Sequence, residues 1–557
     1  MYNLSEMFNG QADQVFLGGK VITIDSEDRV LEALAIKGNR IMTVGSNAEV
    51  EKTIGPSTKV TDLGGRTLMP GIIDTHLHLI LGGLLGENVD SGMINTSYRY
   101  CPTFQSMMNK LSEAVKQKQP GEWVSMMGYE PLLFEDVQRH PSLQELDDLA
   151  PNNPVHCMHG GGHISVYNSK ALEYLGVYSS EDAKKYPEGE VEVVDGKLTG
   201  MVYGHTHFKL WSYVGYSKEQ QEKAALKSQA LCLENGITSV CDMGELGQTS
   251  YHLLSKLTRE GRMKLRITMA LHSIFGKEFS LAENDHWLSL GFLNLLGDEH
   301  FRIGACKFMI DGGSGGPSCY TREPYSHDPS MKRETGWGRQ ESIDYIRKIH
   351  ESGNQCTAHA IGDGAVEYMV AGYEACFADD PEGVRQRRHR IEHCTLVDQD
   401  LIDRMAKMNI CPSVNAGMVQ MLGKNYTLFY GDRNRYLGAL RSMLNAGIHC
   451  SLHSDYPSGP VGLNTIDAAV NRYDRSKNFQ CDKTQAVSLM EALRIATYNG
   501  AYASFEENIK GSLEVGKLAD LIVLSDDILS IDPFDIYKLK VDLTLIDGET
   551  VYERDRS

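Results

Sequence analysis

No CxxC pair occurs among the 12 cysteines of this 557-residue sequence, and they never reach the density of a small disulfide-stapled scaffold. A reduced, cytoplasmic setting is therefore expected. An excess of basic charge is also missing, with 55 Lys and Arg against 74 Asp and Glu. Nothing offsets the formal net charge of −19, which disfavours a nucleic-acid partner and favours solubility. Long apolar runs are absent as well: the most apolar stretch, LMPGIIDTHLHLILGGLLG, carries Asp74, His76 and His78 near its middle and is too polar there to cross a bilayer. The opening residues, MYNLSEMFNGQADQVF, have neither a basic n-region nor an apolar h-region, so no secretory signal is expected. The glycine-rich pieces GGSGG and HGGGH lack the GK[ST] ending of a P-loop, which excludes that mode of nucleotide binding. No low-complexity tract and no internal repeat beyond a βα alternation is visible.

What remains is a composition close to the soluble globular average, 41% apolar and 23% charged, sufficient to bury a sizeable core. The first seventy residues alternate β-branched runs with turn signals, in QVFLGGKVITID, ALAIKGNRIMTVG and KVTDLGGRTLMPG, and the last fifty repeat the style in GKLADLIVLS and VDLTLIDGETVYE. The expectation is one β-sandwich module assembled from residues 1–69 and 506–557. Between them short apolar strands alternate with helical stretches, the pattern of a parallel sheet. GIIDTHLHL, ITSVCDM, LRITMALH, ACKFMID, QCTAHAI, HRIEHCT, ICPSVNA and CSLHSD give eight strands, as a (β/α)8 TIM-like barrel requires. Residues 70–84 supply the first strand and 216–505 the remainder. The segment 85–215 is far too long for an ordinary βα connection, so it is expected to fold on itself as a lid. The run DGGSGGPSC, Asp311 to Cys319, is expected to be a flexible loop after the fourth strand.

Side chains two apart in a strand share a face, so Asp74, His76 and His78 of DTHLH are expected to project together into the barrel. An isolated HxH occurs by chance. Here, however, His359 closes TAH, His393 closes RIEH and Asp455 closes LHSD, each where its strand stops. C-terminal strand ends are where barrel enzymes build their sites, and imidazole nitrogens with a carboxylate oxygen suit Zn2+.

With those residues in view, PGIIDTHLH, AHAIGD, IEHC, HSDYP and the closing GSLEVGKLADLIVL resemble the amidohydrolase superfamily over nearly the whole chain. More narrowly, GITSVCDMG, KFMIDGG, LDDLAPNNPV and HISVYNSKAL are similar to the branch that includes N-substituted formamide deformylases and YtcJ-like proteins. The resemblance implies one or two divalent ions, usually zinc, bound by His76, His78, His359, His393 and Asp455. It also implies that Lys307, at the end of the fourth strand, is carboxylated and bridges two metals; a lysine paired with a nearby carboxylate such as Asp311 is the alternative. The strand register puts Lys307 on one face with Ile303, Ala305, Met309 and Asp311, expected to be the barrel interior.

His163, after three glycines in the insertion, is read as a substrate-facing residue that polarises a carbonyl or holds the intermediate. Asn168 suits a helix cap as well as a substrate contact. Arg322 and Tyr325, in CYTREPYS, are candidates to read an anionic or aromatic substrate group. The glycine loop departs from the DGSLGSRTA-like form of the branch, so substrate specificity does not transfer with the resemblance.

The expected activity is hydrolysis of a C–N bond, in an amide, N-formyl group or cyclic amide of a small molecule, by a metal-activated hydroxide, with Asp455 as proton shuttle. An amidine or heterocycle deaminase is the rival. Such enzymes place a Glu three residues after the strand-five His, where this chain has Gly362, followed by Asp363. A non-catalytic barrel scaffold would be expected to have lost ligands, and all five are present. Neither a nucleic acid nor a membrane is an expected partner, and a homodimer is left open.

Overall fold

The computed structural model describes residues 10–555 except 86–92, 98–99, 188, 274–276, 292–294, 314, 316 and 475–478, and except the Phe279 side chain. Eight parallel strands form its centre, in the order of the sequence: β1 (Ile72–Leu77), β2 (Ile237–Asp242), β3 (Arg266–Leu271), β4 (Phe301–Met309), β5 (Cys356–Ala360), β6 (Arg390–His393), β7 (Cys411–Val414) and β8 (Ser451–Leu452). They are the eight strands expected from the sequence. Apart from the first two residues of β4, every strand residue is buried, because helices cover the outside while the inside is filled by side chains.

The outer helices follow local rules. Gln399–Lys407 starts at Asp398, whose side chain accepts the Leu401 N–H, and turns Leu401, Ile402 and Met405 toward the barrel. Lys218–Glu234 opens with a Ser217/Gln220 capping box and gives way to β2 through Gly236 at φ +75°, a conformation that glycine adopts without strain.

Closure between β8 and β1 decides where the chemistry falls. Thr75 Oγ1 donates to Leu452 O at 2.9 Å, Asp455 N donates to His76 O at 2.9 Å and His78 N donates to Tyr456 O at 3.0 Å. The last strand is thereby stitched to the first, and Asp455 is carried to the side of His76 and His78.

Both chain ends meet in two small sheets. In one, Thr67–Pro70 pairs antiparallel with Leu521–Leu524; the other is built from Gln14–Leu17, Ala33–Lys37, Arg40–Gly45 and Lys59–Asp62. Phe16, Leu34, Ile41, Leu68, Leu521 and Leu545 pack between them, making the sandwich. The segment between β1 and β2 builds a six-stranded sheet, from Met93–Asn95 to Lys197–Tyr203, around its own apolar cluster. All twelve cysteines are buried and unpaired, and no helix among the described residues is long and apolar enough to cross a membrane.

Candidate metal centre

His76, His78, Lys307, His359, His393 and Asp455 line one cavity of about 50 Å³ at the C-terminal ends of the strands. The insertion supplies part of its wall, including His163 and Phe208. His76 Nε2 lies 3.3 Å and His78 Nε2 3.5 Å from Asp455 Oδ1, and donor atoms of the three residues all fall within 4.8 Å of one another. Ligands at about 2.1 Å from a tetrahedral ion stand about 3.4 Å apart, so this donor set fits a divalent metal. His359 and His393 stand beside it, with ring centroids 4.4 Å from each other and the His393 ring 4.6 Å from that of His76.

Two of these residues have backbones that ordinary residues avoid. His393 has φ +68° and Asp455 φ +54°, in the left-handed region that costs a non-glycine residue about 1–3 kcal/mol. His393 is the last residue of β6 and Asp455 follows β8 by three residues, and the left-handed turn at His393 breaks the alternation of the pleat. That is how Glu392 and His393, consecutive in sequence, both reach the site.

Glu392 is one of two carboxylates that the sequence reading missed. Its Oε2 lies 2.9 Å from His76 Nδ1, while Thr357 Oγ1 donates to Oε1 at 2.7 Å. Burial works against its charge, but Arg390 at 2.9 Å, with Lys307 nearby, holds its carboxyl below the usual range. A carboxylate can only accept, so His76 carries its proton on Nδ1 and leaves Nε2 free for the cavity. Glu245, after β2, stands in the same relation to His78 at 3.4 Å and accepts the Leu81 N–H at 2.9 Å. Neither sits in a motif with the histidine it supports; RIEH alone carried a signal, since its Glu precedes a ligand-type His. His453 was missed too: buried and stacked on His76 at 4.8 Å between centroids, it has no partner for either ring nitrogen.

Burial pushes Lys307 down to about 8. Its Nζ lies 3.4 Å from His76 Nε2, and no carboxylate oxygen of the described residues comes within 4.0 Å of it. The Lys307–Asp311 pair considered from the sequence does not form. Asp311 instead accepts backbone N–H groups from Tyr320, Ile361 and Gly362. His163 Nδ1 is buried without a partner, its ring 4.6 Å from that of His359, and burial pushes its pKa down to about 4. Gly313 permits that placement, since a Cβ there would stand 2.9 Å from His163 Cδ2.

Other candidates lie elsewhere. Asp74 does not reach the cavity; from Asp74 to Leu77 β1 advances three residues while β2, from Val240 to Asp242, advances two, and the Asp74 carboxylate accepts the Ser454 and His76 N–H groups. Asn168 caps Ser169–Leu172 and holds Val155 N and two carbonyls, which uses its amide fully. Arg322 pairs with Asp398 at 2.7 Å. Tyr325 is buried in an apolar cluster with its hydroxyl donating to Cys319 O at 2.7 Å; neither residue lines the cavity. Asp363, considered for the deaminase reading, opens the helix after β5 and accepts the Arg322 N–H at 3.0 Å.

Known proteins resemble this chain in sequence and in fold. The sequence profile described as "Amidohydrolase family" matches residues 59–552. The N-substituted formamide deformylase of Arthrobacter pascens is 27% identical over 97% of this chain and 98% of its own, and the putative amidohydrolase YtcJ of Bacillus subtilis (strain 168) is 26% identical over 97% and 99%. Among solved structures, an uncharacterized metal-dependent hydrolase from Pyrococcus horikoshii superposes with a TM-score of 0.70 at 21% identity, over 97% of this chain and 100% of that one, which establishes the shared fold.

Proposed function

The chain belongs to the amidohydrolase family, and from that premise we propose that it is a metal-dependent hydrolase that cleaves a C–N bond in an amide, N-formyl group or cyclic amide of a small molecule. One observation carries the reading: ligand-type side chains from β1, β5, β6 and the end of β8 converge on one cavity, with three donor atoms already grouped around a point. His76, His78, His359, His393 and Asp455 would hold the metal, and zinc suits that donor set. A bound divalent ion supplies Lewis acidity, which lowers the pKa of water and polarises a carbonyl.

The chain's own groups supply the proton traffic. Asp455 is set between the two β1 histidines, its Oδ1 3.3 Å from His76 Nε2 and 3.5 Å from His78 Nε2. It is the base that accepts a proton from the attacking water and returns it to the departing nitrogen. His163, kept neutral by burial, donates its ring N–H to the negative charge that develops on the carbonyl oxygen. Phe208 and the Gly161–Gly162 turn narrow the cavity and limit water around the reacting bond.

Lys307 is proposed to be carboxylated. A buried amine with no carboxylate partner is costly as an ammonium, and as a free amine it adds CO2 with loss of one proton, giving an anionic carbamate beside His76. A second divalent ion would share that carbamate. The deformylase activity named for the Arthrobacter relative makes N-substituted formamides the first compounds to try. The test is a hydrolysis screen of metal-replete protein across N-formyl, N-acyl, cyclic amide and ester substrates, with free ammonia measured alongside. Cleavage confined to C–N substrates supports the proposal. Ammonia release from a purine or pyrimidine panel, without amide cleavage, would replace it with a deaminase.

A further inference from the structure

The cavity of about 50 Å³ around Asp455 has room for the reacting group and little else, so the rest of a substrate has to lie in a neighbouring space. Two neighbouring spaces share two or more wall residues with it. One, of about 340 Å³, meets it at Phe208 and Met309; there Glu190 accepts the His205 and Thr206 N–H groups, Arg333 Nε donates to Pro317 O, and Lys332 and Glu334 are exposed. The other, of about 480 Å³, meets it at Met127, Pro457 and Ser458. Its walls are largely apolar and adaptable, with Met127, Met418, Met421, Leu85, Leu231 and Leu422 among them.

One buried charge faces that apolar space. Glu130 lines it, with its side chain 10% exposed, and Glu130 Oε2 lies 3.1 Å from Nε2 of the buried His159. His159 Nδ1 accepts the Gly161 N–H at 3.0 Å, so its proton sits on Nε2 and is donated to Glu130. The imidazole therefore enters the pair as a neutral group that orients the carboxylate without cancelling its charge. No Lys or Arg of the described residues comes within 4.0 Å of Glu130. Lys227 lines the same space but is exposed, so water screens its charge far more than that of Glu130.

We propose that the Met127–Met421 pocket is the specificity pocket, that it takes an apolar arm of the substrate, and that Glu130 binds a positively charged nitrogen at or along that arm. The substrate class is then an amide or formamide whose apolar substituent carries an amine. This deepens the reading of the site as an amidohydrolase and rests on it for the position of the scissile bond.

The experiment separates pocket from reaction by measuring equilibrium binding as well as turnover. Isothermal titration of the metal-replete protein with 4-phenylbutylamine, 4-phenylbutanol and 4-phenylbutyrate compares three tips on one arm. The amine should bind at least about tenfold more tightly than the alcohol, and Glu130→Gln should erase that preference, as expected for a charge-assisted hydrogen bond. Lys227→Met should leave the preference in place, and Met421→Trp, which fills the pocket, should weaken all three. An amine preference that survives Glu130→Gln would place the amine elsewhere, on the metal for example, and overturn the proposal. Equal binding of amine and alcohol would overturn it as well. If amine selectivity depends on Glu130 while no amide is cleaved, the pocket stands and the assigned reaction falls.

Discussion

Glu392 accepts the Nδ1–H of His76 across 2.9 Å, and this contact decides which nitrogen of the imidazole faces the cavity. Replacing Glu392 by Gln keeps the volume and a hydrogen bond but removes the charge that fixes the tautomer. Metal affinity should fall about 10- to 100-fold, read by competition against a chelator, as partners behind metal-binding histidines generally contribute. An unchanged affinity would mean that His76 needs no help from behind.

Asp455→Asn should retain much of the bound metal and lose the proton shuttle. A drop in kcat of roughly 10²–10⁴ is expected, with metal content measured on the same preparation. A normal rate would hand the proton to another group.

His163→Ala should bind metal normally and slow turnover by about 10²–10³, the usual cost of losing one donor to a developing oxyanion. Its melting temperature should be unchanged, because the Nδ1 it removes has no partner within the protein. Early melting with normal turnover per folded molecule would make the histidine structural.

Lys307→Ala should lower metal stoichiometry and activity together, and added short carboxylic acids should restore part of both by standing in for the carbamate. Mass spectrometry of the native protein under CO2 should show an addition of about 44 Da confined to protein that retains Lys307. Full activity in the variant would leave a site built from the histidines and Asp455 alone.

Much of this centre is written in the order of the residues, because βα alternation and strand-end ligands obey simple periods. His76, His359, His393 and Asp455 each stand within three residues of a strand's last residue, and counting apolar runs finds all eight strands. Parity fails where the backbone leaves the β region or slips its register. Counting by twos sends Glu392 away from His393, yet the positive φ at His393 turns both inward. The same counting groups Asp74 with His76, whereas the irregular pairing of β1 with β2 leaves Asp74 to bind Ser454 N. Glu245 is 167 residues from the His78 it supports, a distance no local pattern spans. Arg322 and Tyr325 were singled out by type alone, and their partners, Asp398 and Cys319, are set by tertiary packing.

The most direct test of the central claim is the metal dependence of hydrolysis itself. Purified wild-type protein, stripped with a chelator and titrated with Zn2+, should regain cleavage of its best formamide or amide substrate in proportion to bound metal, saturating at one or two equivalents. His76→Ala and His78→Ala should stay folded, bind little metal and show no such recovery. Full hydrolysis by protein holding less than about a tenth of an equivalent of any divalent metal would contradict the account.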